Sequence, residues 1–372
     1  MLKFFLSAGV TAALFIMLAV SAYAVSTNAK AAVLMEAGTG RLLVAQNEEA
    51  RLPMASTTKI MTALLTLEQT ELDEYFTVDT EALYVEGSSM GLAPEDSVTL
   101  RILAAGMLLA SGNDAANAAA VRIAGSVPDF VVLMNARAAE LGMKNTSFET
   151  PSGLDADEHF SSAYDMALLA QAALNNNDFA EICSQPRMTL MFGNPPFKRW
   201  LGNHNSLLKS YEGAIGVKTG FTKKAGRCLV SAAERDGIRL ICVTLSCPDD
   251  WREHTRLLDY GFAGLKSSDL SSLMPPLLLP VGGGVQKNVV LEQQHTAVVA
   301  LAEGEQARVK SRVLLKRFLL APVSKGQAVG EVRFTLDGKE ILCVPLSTAD
   351  DVAARELTKK HKWWSRLNLS PR

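Results

Sequence analysis

Metal-ligating residues are scarce in this chain. Its 372 residues include five histidines and five cysteines, and neither type gathers at ligand spacing. His159 and His204 stand far apart and read as loop hydrogen-bonders, so neither a metal nor any other cofactor is expected. The cysteines (Cys183, Cys228, Cys242, Cys247 and Cys343) are odd in number and follow no disulfide framework. Three of them lie in apolar, strand-like runs, where a thiol serves as a small hydrophobic group. Excess charge is lacking too. Lysine and arginine number 37 against 39 acidic residues, and the net charge of −2 gives no electrostatic basis for binding nucleic acid.

What is present starts at the N-terminus. Lys3, an apolar run from about Phe4 to Val20, and Ala22-Tyr23-Ala24 form the pattern of a secretory signal, residues 1–24, cleaved after Ala24. The run is slightly long, so retention as an uncleaved anchor is the alternative. The remaining length suits two domains with sizeable cores.

Three short motifs then carry chemistry: Ser56-Thr57-Thr58-Lys59, Ser111-Gly112-Asn113 and Lys218-Thr219-Gly220. Each alone is an ordinary cap, turn or surface strand; their order and separation set them apart. Ile60, Met61, Leu64, Leu65 and Leu67 have helical spacing, so a helix should begin near Ser56 and place Ser56 and Lys59 on one face. A serine hydroxyl needs a base to become a nucleophile, and Lys59 is the candidate. To act near neutral pH, Lys59 must titrate about 3 pH units below a free lysine, which costs roughly 4 kcal/mol. Burial and a second cation supply such a change, and Lys218 is that cation.

The second motif follows a buried helical run, Leu103–Ala110, and reads as a turn whose Gly112 leaves room beside it. Ser111 can relay a proton toward a leaving amine, and the Asn113 amide can hold Lys59 and donate to a substrate carbonyl. The third motif lies in a strand, Ile215–Thr222, followed by strands near Cys228–Ala233 and Ile238–Ser246 joined by a hairpin at Asp236-Gly237. A peptide substrate can add to the edge of that first strand. Lys218 and the Thr219 hydroxyl would then hold an anionic substrate end, Gly220 would permit close approach, and the backbone N–H groups of Ser56 and Phe221 would form an oxyanion hole.

The surrounding text carries a resemblance. It runs through Pro53–Ala63, Glu86–Met90, Leu109–Ala116, Met134-Asn135, Gly153-Leu154, His159 with Ser162-Ala163, Asp165–Ala167, Asn203–Leu208 and Gly216–Gly220. Over roughly Ala31 to Phe262 the chain resembles the low-molecular-mass penicillin-binding proteins, specifically the D-alanyl-D-alanine carboxypeptidases, where such Ser-x-x-Lys and Lys-Thr-Gly sets recur. The resemblance implies an α+β fold: a β-lactamase/DD-peptidase-like catalytic domain, its antiparallel sheet flanked by helices, followed by a small all-β domain. It implies acylation of Ser56 by peptidoglycan stem peptides ending in D-Ala-D-Ala and by β-lactams. It assigns Arg252 to the terminal carboxylate, and places the enzyme on the outer face of the cytoplasmic membrane or in the cell-wall space. Phe221 departs from the His of some relatives, and Gly91 from larger residues; neither side chain is needed for acyl transfer.

The catalytic domain, residues 25–265, should end after Leu257–Phe262. A Ser-rich stretch with Pro275-Pro276 then reads as a linker. Residues 276–350 read as a small β domain, because Val332, Phe334 and Leu336 alternate with polar residues before an Asp337-Gly338 turn. In residues 353–372, Ala353, Leu357, Trp364 and Leu367 form a helical stripe among Arg355, Lys359, Lys360, Lys362 and Arg366. That pattern suits an anionic membrane surface; a solvated basic tail is the alternative. Two other functions stay open at this level, a β-lactamase and a non-catalytic penicillin sensor or structural wall protein. The Ser-Gly-Asn motif and the added β domain argue against the first. The intact motif set and the lack of a visible transmembrane segment after residue 24 argue against the second.

Overall fold

A computed structural model describes residues 25–274 and 277–356. The signal segment 1–24 and residues 357–372 of the basic tail lie outside the described residues. The N-terminal region is built on a five-stranded antiparallel sheet. β1 (Ala31–Glu36) pairs with β2 (Arg41–Gln46) on one side and with Ile238–Leu245 on the other, followed by Gly226–Arg235 and, at the edge, Ala214–Thr222. The hairpin at Asp236-Gly237 forms as the sequence suggests, with both residues at positive φ (51° and 75°).

Both faces of this sheet are covered, which explains why β1 is buried along its whole length. Leu34 points to one face, where Leu240 and Cys242 pack with Leu257 and Leu258 of the helix Asp250–Gly264. Its neighbours Val33 and Met35 point to the other, joining Ile241 and Val243 under a helical layer. That layer holds α1 (Lys59–Leu67), α2 (Leu100–Leu109), α3 (Asn113–Ala124) and the helix Ala163–Leu174. α1 and α2 are apolar on nearly every side because other helices surround them, and this is what buries the lysine at the start of α1. The side chains of Thr99 and Ser162 cap α2 and Ala163–Leu174 by accepting from Ile102 N and Asp165 N.

The C-terminal region is all-β. Its six-stranded sheet includes Ala328–Leu336 and Lys339–Thr348, turning at Asp337-Gly338, with Val332, Phe334 and Leu336 in its core. Two expectations are corrected. The Ser-rich stretch is not a free linker: Lys266–Asp269 is a strand paired with Val298–Leu301. Its serines conceal this because a strand held by backbone hydrogen bonds needs no apolar side chains on its exposed face. The expected tail helix does not begin at Ala353. Ala354 bridges Gly284, Arg355 N donates to Gly283 O, and buried Val352 pairs with Val323, so sheet-edge partners satisfy this backbone in extended form.

Candidate active site

The nucleophile candidate sits on a turn, not inside a helix. Ala55–Thr58 forms one 3₁₀ turn ahead of α1, and Ala55 adopts a left-handed conformation (φ 49°). Hydroxyls on either side fasten the turn: Thr57 Oγ1 donates to Met54 O (2.6 Å) and Thr58 Oγ1 to Ala55 O (2.8 Å). Ser56 is left half-buried at the surface of this turn, with Lys59 directly beneath it.

Lys59 Nζ lies 3.1 Å from Ser56 Oγ, 2.6 Å from Asn113 Oδ1 and 2.5 Å from the Ser152 carbonyl. The side chain is fully buried. Burial first, and the charge of Lys218 second, hold its pKa well below the ordinary lysine value; Asp114 opposes them. A neutral amine in this position has two N–H bonds for the two carbonyl-type oxygens and one lone pair for the Ser56 proton. The geometry therefore fits a base.

α2 ends in the second motif. Ser111 is buried at φ 59°, and Asn113 opens α3. The Asn113 amide bridges two elements, accepting from Lys59 and donating to Glu86 O at 2.6 Å. Ser111 Oγ makes no hydrogen bond to Lys59 or Lys218 among the described residues.

The third motif lies on the edge strand Ala214–Thr222, which crosses the Ser56 turn closely. A Cβ at Gly220 would meet Met54 O, Ser56 N and Thr57 N at 3.0–3.1 Å, so glycine there lets the strand lie this close to the Ser56 turn. Lys218 is buried, its Nζ donates to Thr219 O at 2.9 Å, and burial lowers its pKa to about 7. Thr219 is half-buried, whereas the Phe221 side chain is exposed. His204 belongs to this neighbourhood: burial, then the Lys218 charge, depress its pKa.

Arg252 is not brought into this cluster. It is exposed at the start of the helix Asp250–Gly264, and its guanidinium pairs with Asp249 at 2.7 Å. Other residues were missed by motif reading. Asp114 is buried, and its carboxylate accepts from Ser89 Oγ and from the backbone N–H groups of Met90, Gly91 and Leu92, fixing the loop beside Asn113. The carbonyl of Ser152 accepts from Lys59, and the ring of His159 lies 2.9 Å from Thr58 Oγ1 behind the Ser56 turn; no motif contains either residue. Among the described residues, no three His, Cys, Asp or Glu side chains gather to hold a metal ion.

This arrangement can be set beside known proteins. A family model described as D-alanyl-D-alanine carboxypeptidase matches residues 18–249, and one described as the C-terminal domain of penicillin-binding protein 5 matches residues 277–354. The chain belongs to the D-alanyl-D-alanine carboxypeptidase family. It is 35% identical over 334 residues to the D-alanyl-D-alanine carboxypeptidase DacF of Bacillus subtilis, covering 87% of this chain and 86% of that one. It is 35% identical over 348 residues to DacC of Escherichia coli, covering 88% and 85%. The structure of penicillin binding protein 5 from Haemophilus influenzae matches with a TM-score of 0.67 at 32% identity, covering 88% of this chain and 98% of that chain. The chain is thus a serine-type D-Ala-D-Ala carboxypeptidase, a hydrolase, on the expected α+β fold with an appended β domain.

Proposed function

We propose that this carboxypeptidase removes the terminal D-alanine of peptidoglycan stem peptides through an acyl-enzyme on Ser56. The observation that carries the reading is the placement of one buried, pKa-depressed amine, Lys59, against the Ser56 hydroxyl and the Asn113 amide. Neutral Lys59 takes the Ser56 proton as Oγ attacks the carbonyl of the penultimate D-Ala. The oxyanion forms against the N–H groups of Ser56 and Phe221. The C–N bond breaks, the leaving D-Ala amine takes a proton delivered through Ser111, and water then hydrolyses the ester with Lys59 again as base. Lys218 and Thr219 hold the terminal carboxylate. β-Lactams acylate the same serine. Export through residues 1–24 and contact of residues 357–372 with an anionic membrane belong to this reading and rest on the sequence.

The test is to incubate the purified protein with a stem pentapeptide, measure released D-Ala, and locate the adduct of a fluorescent penicillin by mass spectrometry. D-Ala release with the adduct on Ser56 supports the reading. Rapid multiple turnover of penicillin would identify a β-lactamase instead. Stable acylation without D-Ala release would identify a sensor.

A further inference from the structure

Behind the Ser56 turn runs a buried chain of hydrogen bonds that none of the three motifs contains. His159 Nδ1 lies 2.9 Å from the backbone nitrogen of Glu149, which can only donate. Nδ1 is therefore unprotonated, and the ring hydrogen sits on Nε2. Nε2 lies 2.9 Å from Thr58 Oγ1, so it donates to that hydroxyl. Thr58 in turn donates to the carbonyl of Ala55 at 2.8 Å. All three residues are buried. Burial also holds the His159 pKa near 4, which keeps the ring neutral and this donor order intact at working pH.

The end of the chain matters because of what the Ala55 carbonyl controls. The Ala55–Ser56 peptide is planar and trans, so Ser56 N–H points opposite to Ala55 C=O. Ala55 holds the left-handed φ that aims this plane, and a β-carbon on Gly153 would overlap the same carbonyl oxygen. Fixing that oxygen fixes the direction of the Ser56 N–H. We infer that His159 is a positioning residue that aims the Ser56 oxyanion donor through Thr58 and the Ala55 carbonyl. The inference rests on the proposed role of Ser56 N–H in the oxyanion hole, and goes beyond it by naming what sets that donor's direction.

Substitutions separate this role from simple packing. In His159→Gln the amide nitrogen reaches the Nε2 position and can donate to Thr58. In His159→Asn the side chain reaches the Nδ1 position only, keeping the Glu149 contact and losing the donor. Thr58→Val removes the relay at nearly constant volume, and Thr58→Ser retains it. Acylation by fluorescent penicillin, kcat and KM for D-Ala release, and Tm are measured for each.

A lost oxyanion donor costs about 10²–10³-fold, so a misaimed one should cost about 10–100-fold, in kcat and acylation with little change in KM. His159→Asn and Thr58→Val should show this loss, His159→Gln and Thr58→Ser should stay within about 3-fold of wild type, and the Asn/Val double variant should be no worse than either single change. Equal losses for Gln and Asn, losses that follow Tm, or wild-type acylation by Thr58→Val would overturn the inference. If the histidine variants do not fold, the Thr58 pair decides alone. Ser56→Ala keeps the two readings apart: penicillin labelling that persists in that variant refutes the nucleophile assignment, whereas wild-type acylation by Thr58→Val with Ser56 confirmed refutes only the positioning role.

Discussion

The charge of Lys218 adds to burial in holding the Lys59 pKa down, and burial lowers the pKa of Lys218 to about 7. A charged Lys218 therefore favours a neutral Lys59, that is, a neutral amine beside a cation. The first is what proton abstraction from Ser56 needs, and the second is what a substrate carboxylate needs.

The pH profile should show both titrations. Acylation by a neutral β-lactam ester should rise as pH increases through the Lys59 pKa and then level off. For a peptide with a free terminal carboxylate, kcat/KM should rise on the same limb and fall above about pH 7, as Lys218 loses its charge. A peptide profile without the descending limb would show that Lys218 does not read the carboxylate.

Stability should carry the same signature. The folded pKa of Lys218 lies below its unfolded value of about 10.4, so between these the unfolded chain binds more protons and stability rises with pH. Below about pH 7 the full cost of burying the charge is present. Lys218→Met should therefore be more stable than wild type at pH 6, by roughly 2–4 kcal/mol, with the advantage shrinking toward pH 10. It should also lose carboxylate-substrate turnover. Urea unfolding at pH 6 and pH 9 checks the sign, and a gap that widens with pH would contradict it.

Gly220 tests the contact between strand and nucleophile. Gly220→Ala places a methyl 3.0–3.1 Å from three backbone atoms of the Ser56 turn, none on a flexible side chain. The strand or the turn must shift. Stability should fall by about 1–3 kcal/mol, and acylation should drop by about 10²-fold because a small displacement at the reacting centre is enough. Penicillin labelling rates together with thermal unfolding measure both. Unchanged labelling would mean that the strand does not hold the turn in place.

The parts of this protein legible in its sequence were those written in side chains. The period of two in Val332–Leu336, the Asp236-Gly237 hairpin and the apolar run before Ser111 all reappear at their expected places. Ser56 and Lys59 also meet as their spacing suggested, and the Asn113 amide accepts from Lys59 as its chemistry allows. What escaped reading depends on backbone geometry or on partners distant in sequence. Lys266–Asp269 is a strand because Val298–Leu301 pairs with it. The third acceptor on Lys59 is a carbonyl, Ser152 O, which any residue type supplies. Arg252 rests on the family resemblance and on no motif, and the structure pairs its charge with Asp249.

Asp114 gives the last prediction. One oxygen of its buried carboxylate accepts from Met90 N and Ala115 N at 2.9 Å; the other accepts from Ser89 Oγ at 2.6 Å, Gly91 N at 3.1 Å and Leu92 N at 3.0 Å. Its charge also favours the protonated form of Lys59. Asp114→Asn changes both at once. An amide has only one acceptor oxygen, so its NH₂ must face backbone N–H groups, and stability should fall by about 2–3 kcal/mol. Removing the negative charge also removes an influence that holds the Lys59 pKa up, so the ascending limb of the acylation profile should move to lower pH. The two effects have separate readouts, and the second has a sign that loop disorder alone does not predict. A limb that moves to higher pH, or stays fixed while stability falls, would mean that Asp114 acts on the loop and not on the base.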